Sequence, residues 1–137
     1  PGLEKPLESK YQVFRRMEFS SERKRMSVVL MDPKDGLYKM YTKGADVVIK
    51  ERLDPAQLNS EVMRKTEAFL TKASNKGLRT LLMGMRLLDQ DEFESFQKEV
   101  AEAEKDVMQR DKILDQIYDK YERGLVLLGA TAVEDRL

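Results

Sequence analysis

In 137 residues, 25 Lys and Arg stand against 25 Asp and Glu, so no overall field recruits nucleic acid or an anionic membrane, and a ligand phosphate must be met by local charge. Cysteine and histidine are absent, which excludes disulfides, thiolate metal sites, cysteine nucleophiles, serine–histidine hydrolysis and histidine-bound zinc, and fits a reducing cytosol. The length suits one domain with a real core, and the longest apolar runs, around 81–85 and 125–132, fall far below the roughly 20 residues a helix needs to cross a bilayer.

Residues 1–9, polar with two prolines, read as a frayed lead-in or cloning remnant on which the fold does not depend. With no initiator methionine or signal peptide at one end and an acidic turn at the other, the chain reads as an excised piece of a longer protein. From Tyr11 the pattern is strand-like: Val13 and Phe14, then Met17 and Phe19, then 27–31. Asp32-Pro33-Lys34-Asp35-Gly36 supplies turn chemistry before a second strand at 37–42, which makes a hairpin leading straight to Lys43.

Asp46 is placed to cap a short helix that ends near Leu53, before Asp54-Pro55. A longer helix is predicted from about Asn59, with Val62, Thr66, Phe69 and Ala73 as its apolar stripe, Gly77 at its C-terminus, and Lys72 and Lys76 suited to that negative end. Residues 78–88 read as a strand. A helix starting at 89–91 carries Phe93, Phe96 and Val100, and another carries Val107, Ile113, Leu114, Ile117 and Tyr121 as far as Gly124. Residues 125–132 read as a buried strand. The sum is an α+β domain in which helices flank an antiparallel β-sheet, with no internal repeat.

The most informative stretch is Phe19-Ser-Ser-Glu-Arg-Lys-Arg-Met-Ser-Val28, followed after the hairpin by Thr42-Lys43-Gly44-Ala45-Asp46. An aromatic plate, a cationic loop and a lysine beside two minimal side chains are parts of a nucleotide site, since a purine stacks on an aromatic face and a lysine beside glycine meets a ligand with little obstruction. On an extended chain Met17, Phe19 and Ser21 share a face, and the ordinary role of such a phenylalanine is core packing. Arg23-Lys24-Arg25 by itself reads as a solvated charge run, Met26 as filler, Asp46 as no more than a helix cap, and Arg79 as a sheet-edge charge. Neither a Gly-x-x-x-x-Gly-Lys-Ser/Thr loop nor a Gly-x-Gly-x-x-Gly turn is present.

These motifs, together with Lys-Gly-Leu-Arg-Thr-Leu at 76–81 and Leu-Leu-Gly-Ala-Thr-Ala-Val-Glu-Asp-Arg-Leu at 127–137, occur in the same order as in a known family. The chain resembles the nucleotide-binding (N) domain of P-type ATPases, and within them the type IV branch, the phospholipid flippases, over residues 10–137. The resemblance implies an N domain at 10–132 and a hinge return at 133–137 toward an absent phosphorylation domain. It assigns Phe19 to adenine stacking, Ser21 and Lys24 to nucleotide contacts, Lys43 to the adenine pocket with its ammonium toward the nucleotide, and Arg79 to the phosphates. Met26 would line the wall beside the base, and Arg86 is left structural.

The same resemblance implies ATP as ligand, and in the intact parent Mg2+ whose ligands lie outside this chain. The family's Asp-Lys-Thr-Gly-Thr motif is missing, so the piece is expected to bind ATP without hydrolysing it, as a monomeric cytosolic domain of an integral membrane protein. Its partners would be the phosphorylation and actuator domains of its own parent, with a phospholipid substrate and an accessory subunit only for that parent. A glutamate that the family supplies from an upstream acidic region has no counterpart here, so affinity on the order of 1 mM is expected. The arrangement requires the ring of Phe19 and the ammonium of Lys43 to converge on one cavity. The competing readings are a single-stranded RNA-binding module built on the aromatic strands and Arg15, Arg16 and 23–25, and a helical protein-interaction module built on 91–123.

Overall fold

The computed structural model describes residues 11–134. The lead-in at 1–9 and residues 135–137 of the expected hinge lie outside them. Strands β1 (Gln12–Met17), β2 (Arg25–Met31), β3 (Tyr38–Ala45), β4 (Arg79–Leu88) and β5 (Val126–Val133) form one antiparallel sheet in chain order. Helices α1 (Asp46–Lys50) and α2 (Glu61–Asn75) connect β3 to β4, with a 3-10 turn at Pro55–Asn59 between them. Helices α3 (Gln90–Glu104) and α4 (Arg110–Tyr121) connect β4 to β5. The expected α+β class, an antiparallel sheet with flanking helices, is what the chain adopts.

The β2–β3 turn uses the residues its sequence advertised. Gly36 takes φ +72° and donates its amide to the Asp32 carbonyl at 2.8 Å, and the Asp32 carboxylate accepts from the Lys34 amide at 2.9 Å and from Lys39 Nζ at 2.9 Å. Helix α2 starts at Glu61, capped by Ser60, whose hydroxyl accepts from the Met63 amide. A capping box opens α3, with Asp89 and Glu92 each accepting the other's backbone amide.

Strand alternation sorts the sheet into two unlike faces. Ser27, Val29, Met40, Thr42, Leu82 and Leu88 face the helices and are buried. Under β1–β3, α3 and α4 bury Phe93, Phe96, Leu114 and Ile117 against Met17, Val29 and Met40, with Tyr38 stacked on Phe93 at 3.8 Å. Under β4 and β5, Ile49, Leu53, Met63 and Leu70 close on Leu82 and Leu125. The other face carries Met26, Val28, Tyr41, Lys43, Met83 and Leu128.

Several local expectations shift. The buried stripe of α2 is Met63, Thr66, Leu70 and Ala73, whereas Val62 and Phe69 are exposed. Both phases share Thr66 and Ala73, and packing against Leu53 and Leu125 selects the one that inserts the longer unbranched or γ-branched side chains. Val107 lies outside α4, exposed in the α3–α4 loop next to Met108. Asp46 is the first residue of α1 and not its cap: Ala45 holds the cap position, and the Asp46 carboxylate accepts only from the adjacent Val47 amide.

Phe96 is fully buried between the sheet and α4, in edge contact with Tyr121 at 5.1 Å. Phe96→Ala is expected to lower stability by about 3–5 kcal/mol in urea melts, while Met108→Ser, at a position 92% exposed, should stay within about 0.5 kcal/mol of the parent chain.

Candidate functional site

Lys43 lies inside β3, two residues before its end, and not at a strand terminus as the hairpin pattern suggested. The register sets Met26 of β2 directly opposite it on one side and Met83 of β4 on the other, so the three form a row across the uncovered face. Arg79 and Leu81 precede Met83 at two-residue steps along β4, which carries them along the same face. Lys43 borders a groove of about 170 Å³ with Leu81, Met83, Leu128 and Thr131, and a second groove of about 170 Å³ with Met26, Val28, Tyr41 and Met83. Each is smaller than the roughly 300–1,000 Å³ of a typical ligand pocket, so either groove receives one side of a planar ring and encloses nothing.

The β1–β2 loop brings Lys24 to the same corner. Its backbone takes φ +54°, and its amide donates to the Ser20 carbonyl at 2.7 Å while its carbonyl accepts from the Ala45 amide at 3.1 Å. Lys24 is thereby fixed next to Gly44 and Ala45, the residues that follow Lys43.

Phe19 and Ser21 belong to this loop and not to an extended strand, because β1 ends at Met17. Phe19 is 58% exposed, so it is not a core residue. It does not line either groove beside Lys43. Together with Ser21 it lines a separate concavity of about 650 Å³ against Asp111, Leu114 and Tyr118 of α4. The expected convergence of Phe19 and Lys43 on one cavity is therefore corrected: the loop turns the aromatic ring toward α4 while strand alternation turns Lys43 to the open sheet. The structure puts Met26 and Lys43 in one row, fixes the Lys24 backbone beside Gly44 and Ala45, sets Arg79 further along β4 on the same face, and leaves Phe19 and Ser21 on the β1–β2 loop.

Arg23 and Arg25 overturn the reading of 23–25 as a solvated run. Both are buried, and so is Glu122 just beyond α4, which sequence reasoning did not single out. Arg23 donates Nη1 and Nη2 to the two Glu122 oxygens at 2.8 and 3.0 Å, and Arg25 donates Nε at 2.8 Å. Ser27 also donates to Glu122 and is 2.7 Å from the Thr42 hydroxyl. Desolvation holds the Arg25 guanidinium below its usual range, with Glu122 opposing that shift. Arg86, expected to be structural, donates to the Tyr121 carbonyl at 3.1 Å and pairs with Glu92.

Gly44 has a different role from the unobstructed ligand approach read from sequence. A Cβ there would stand 2.6 Å from the Lys24 carbonyl oxygen and 2.7 Å from Arg25 Cβ. The glycine lets β2 and β3 close up where Lys24 meets the site. Among the described residues no three metal-ligating side chains converge.

A family model described as "P-type ATPase, cytoplasmic domain N" matches residues 4–137. The chain belongs to the P-type ATPase cytoplasmic N-domain family. The probable phospholipid-transporting ATPase 12 of Arabidopsis thaliana is 42% identical over 132 residues, 96% of this chain and 11% of that protein. Phospholipid-transporting ATPase IC of Xenopus tropicalis is 39% identical over 95% of the chain and 10% of its own length, and the probable phospholipid-transporting ATPase IM of Homo sapiens is 39% identical over 93% and 10%. This N domain thus spans about a tenth of the length of the relatives it matches.

Two outcomes test this geometry. Gly44→Ala places a methyl group against unyielding backbone and should lower stability by about 3 kcal/mol, the upper end for overpacking. Arg52, and after it Arg123, holds the Asp119 carboxyl below the usual range, and the Lys34 amide and Lys39 do the same for Asp32. A carboxylate depressed on folding stabilises the fold above its unfolded pKa, and that contribution is lost as pH falls through the folded value. Thermal melts should therefore hold steady from pH 7 to about 5 and fall steeply below about pH 4, the ordinary carboxylate value, where the unfolded chain binds more protons.

Proposed function

We propose that this N domain binds ATP for a phospholipid-translocating P-type ATPase, holding the adenosine end and presenting the γ-phosphate to an aspartate on a phosphorylation domain outside the chain. The observation that carries this reading is the row Met26, Lys43, Met83, which puts one ammonium between two apolar grooves on an uncovered sheet face. A base laid in either groove loses its water against carbon and thioether, while Lys43 meets the nucleotide's anionic side. Lys24 and Arg79 are further cations at the corner and along the face, and a guanidinium fork matches phosphate geometry. Phe19, with its ring exposed on the loop that leads into Lys24, supplies the stacking surface, and Ser21 a hydroxyl beside it.

Chemistry follows from what these residues can do. Lysine, arginine, phenylalanine and serine in this arrangement bind and orient, and the isolated domain is read as binding ATP without hydrolysing it. Transfer to the aspartate would be achieved by proximity, once the domain swings the γ-phosphate into line. Mg2+ ligands, the actuator domain, the lipid path and any accessory subunit belong to the longer parent, of which this domain is a cytosolic, monomeric arm.

Titration of the 15N-labelled chain with ATP tests the assignment. Amides around Lys24, Met26, Lys43 and Arg79 should shift with a Kd on the order of 1 mM, about −4 kcal/mol. Lys43→Ala and Phe19→Ala should each weaken binding about 5- to 30-fold, the effect of removing roughly 1–2 kcal/mol. Shifts confined to α3 and α4 would refute the site, and loss of binding in Lys43→Ala with none in Phe19→Ala would remove the ring from it.

A further inference from the structure

The Glu122 carboxylate lies on the buried side of the sheet, yet every group it holds adjoins a residue of the candidate site or its loop. On β2, Arg25 and Ser27 point down to the Glu122 carboxylate, and the residues flanking and between them, Lys24 and Met26, belong to the site. Ser27 passes the contact to Thr42 at 2.7 Å, and Thr42 immediately precedes Lys43. Arg23 fixes the loop: its side chain forks onto Glu122, its amide donates to Ser20 Oγ at 3.0 Å, and its Nε donates to the Glu18 carbonyl at 3.3 Å, bracketing Phe19. One fully buried carboxylate therefore braces the underside of Lys24, Met26 and Lys43.

We infer that Glu122 is a positioning residue for the nucleotide face, acting through Arg23, Arg25 and the Ser27–Thr42 pair; the inference rests on the ATP-binding reading above. Glutamine keeps the volume of Glu122, but because Arg23 donates to both carboxylate oxygens, its NH2 faces an Arg23 donor in either orientation, so the two-oxygen fork cannot survive. The loop and the start of β2 would lose their fixed spacing to β3, and with it the placement of Lys24 and Met26 relative to Lys43. A purely structural Glu122 would affect melting alone.

The test compares Glu122→Gln with Val100→Ala, a core change in α3 away from the network, at a temperature where melting curves show both chains folded. ATP titrations followed by amide shifts should give about 10-fold weaker binding for Glu122→Gln, and unchanged binding for Val100→Ala at a similar loss of melting temperature. Should Glu122→Gln not fold, Ser27→Ala removes the link from Glu122 to Thr42 while leaving both arginines on the carboxylate, and should weaken ATP binding about threefold with the Lys43 amide displaced before any nucleotide is added. Parent-like affinity in folded Glu122→Gln, or in Ser27→Ala when that is the variant tested, overturns the positioning role while leaving the ATP site intact. Absence of any response in the parent chain overturns the ATP reading itself, and the positioning role with it.

Discussion

A carboxylate with no exposure to water has to be matched by charge and hydrogen bonds inside the protein, and this requirement organises the domain around Glu122. Two arginines and a serine meet it, drawn from the β1–β2 loop and the first half of β2, while Glu122 itself follows α4 near the far end of the chain. Replacing such a cluster with hydrocarbon is often neutral for stability, so its value lies elsewhere. A slip of one residue in β2 would send Arg25 and Ser27 to the open face and bring Lys24 and Met26 inward. Glu122 would then be buried without Arg25 and Ser27. The ion cluster thus selects one register, and the register decides which side chains reach the uncovered face.

That face is what the register leaves over. All four helices close on the side carrying Val29, Met40 and Leu82, and the opposite side keeps Met26, Tyr41, Met83 and Leu128 in partial contact with water. Lysine in the middle of such a row stands its four-carbon stem against neighbouring apolar side chains and keeps its ammonium at the surface. Gly44 adds a backbone condition, because only its missing side chain lets Arg25 approach closely enough to reach Glu122 while Lys24 stays beside Ala45. Site and core are therefore specified by the same few positions at the junction of β2 and β3.

Much of this was legible in the sequence, for reasons that can be named. The Asp32–Gly36 turn, Gly77 after α2, the helix start at 89–91, the alternation of 78–88 and the helical spacing of Phe93, Phe96 and Val100 carry their signals locally, and the elements followed. The family resemblance brought the correct domain. What escaped was nonlocal. Arg23 and Arg25 look like any basic run until a carboxylate almost a hundred positions later is known to lie beneath them, although their spacing of two, continued by Ser27 and Val29, already put them on the buried face of a strand. The α2 stripe was set one residue out of phase because Val62 and Phe69 fit the helical period as well as Met63 and Leu70, and only the opposing surface could choose. Phe19 was given strand alternation that stops at Met17.

The separation of Phe19 from the grooves at Lys43 bears on how one ligand could touch both. Moving the loop would break the Arg23 fork on Glu122 and the Ser20 contacts to Arg23 and Lys24, all formed in the free chain. Turning the ring breaks none of them. The side chain of Phe19 is largely exposed, and its ring can exchange between staggered χ1 wells on a fixed backbone. A base engaged by both residues therefore has to be met by a ring that swings on a stationary loop. A base–aromatic stack, at about 1–3 kcal/mol, is what such a turn gains. The rigid half of the site is then the sheet with Lys43, and the adaptable half is a single aromatic side chain.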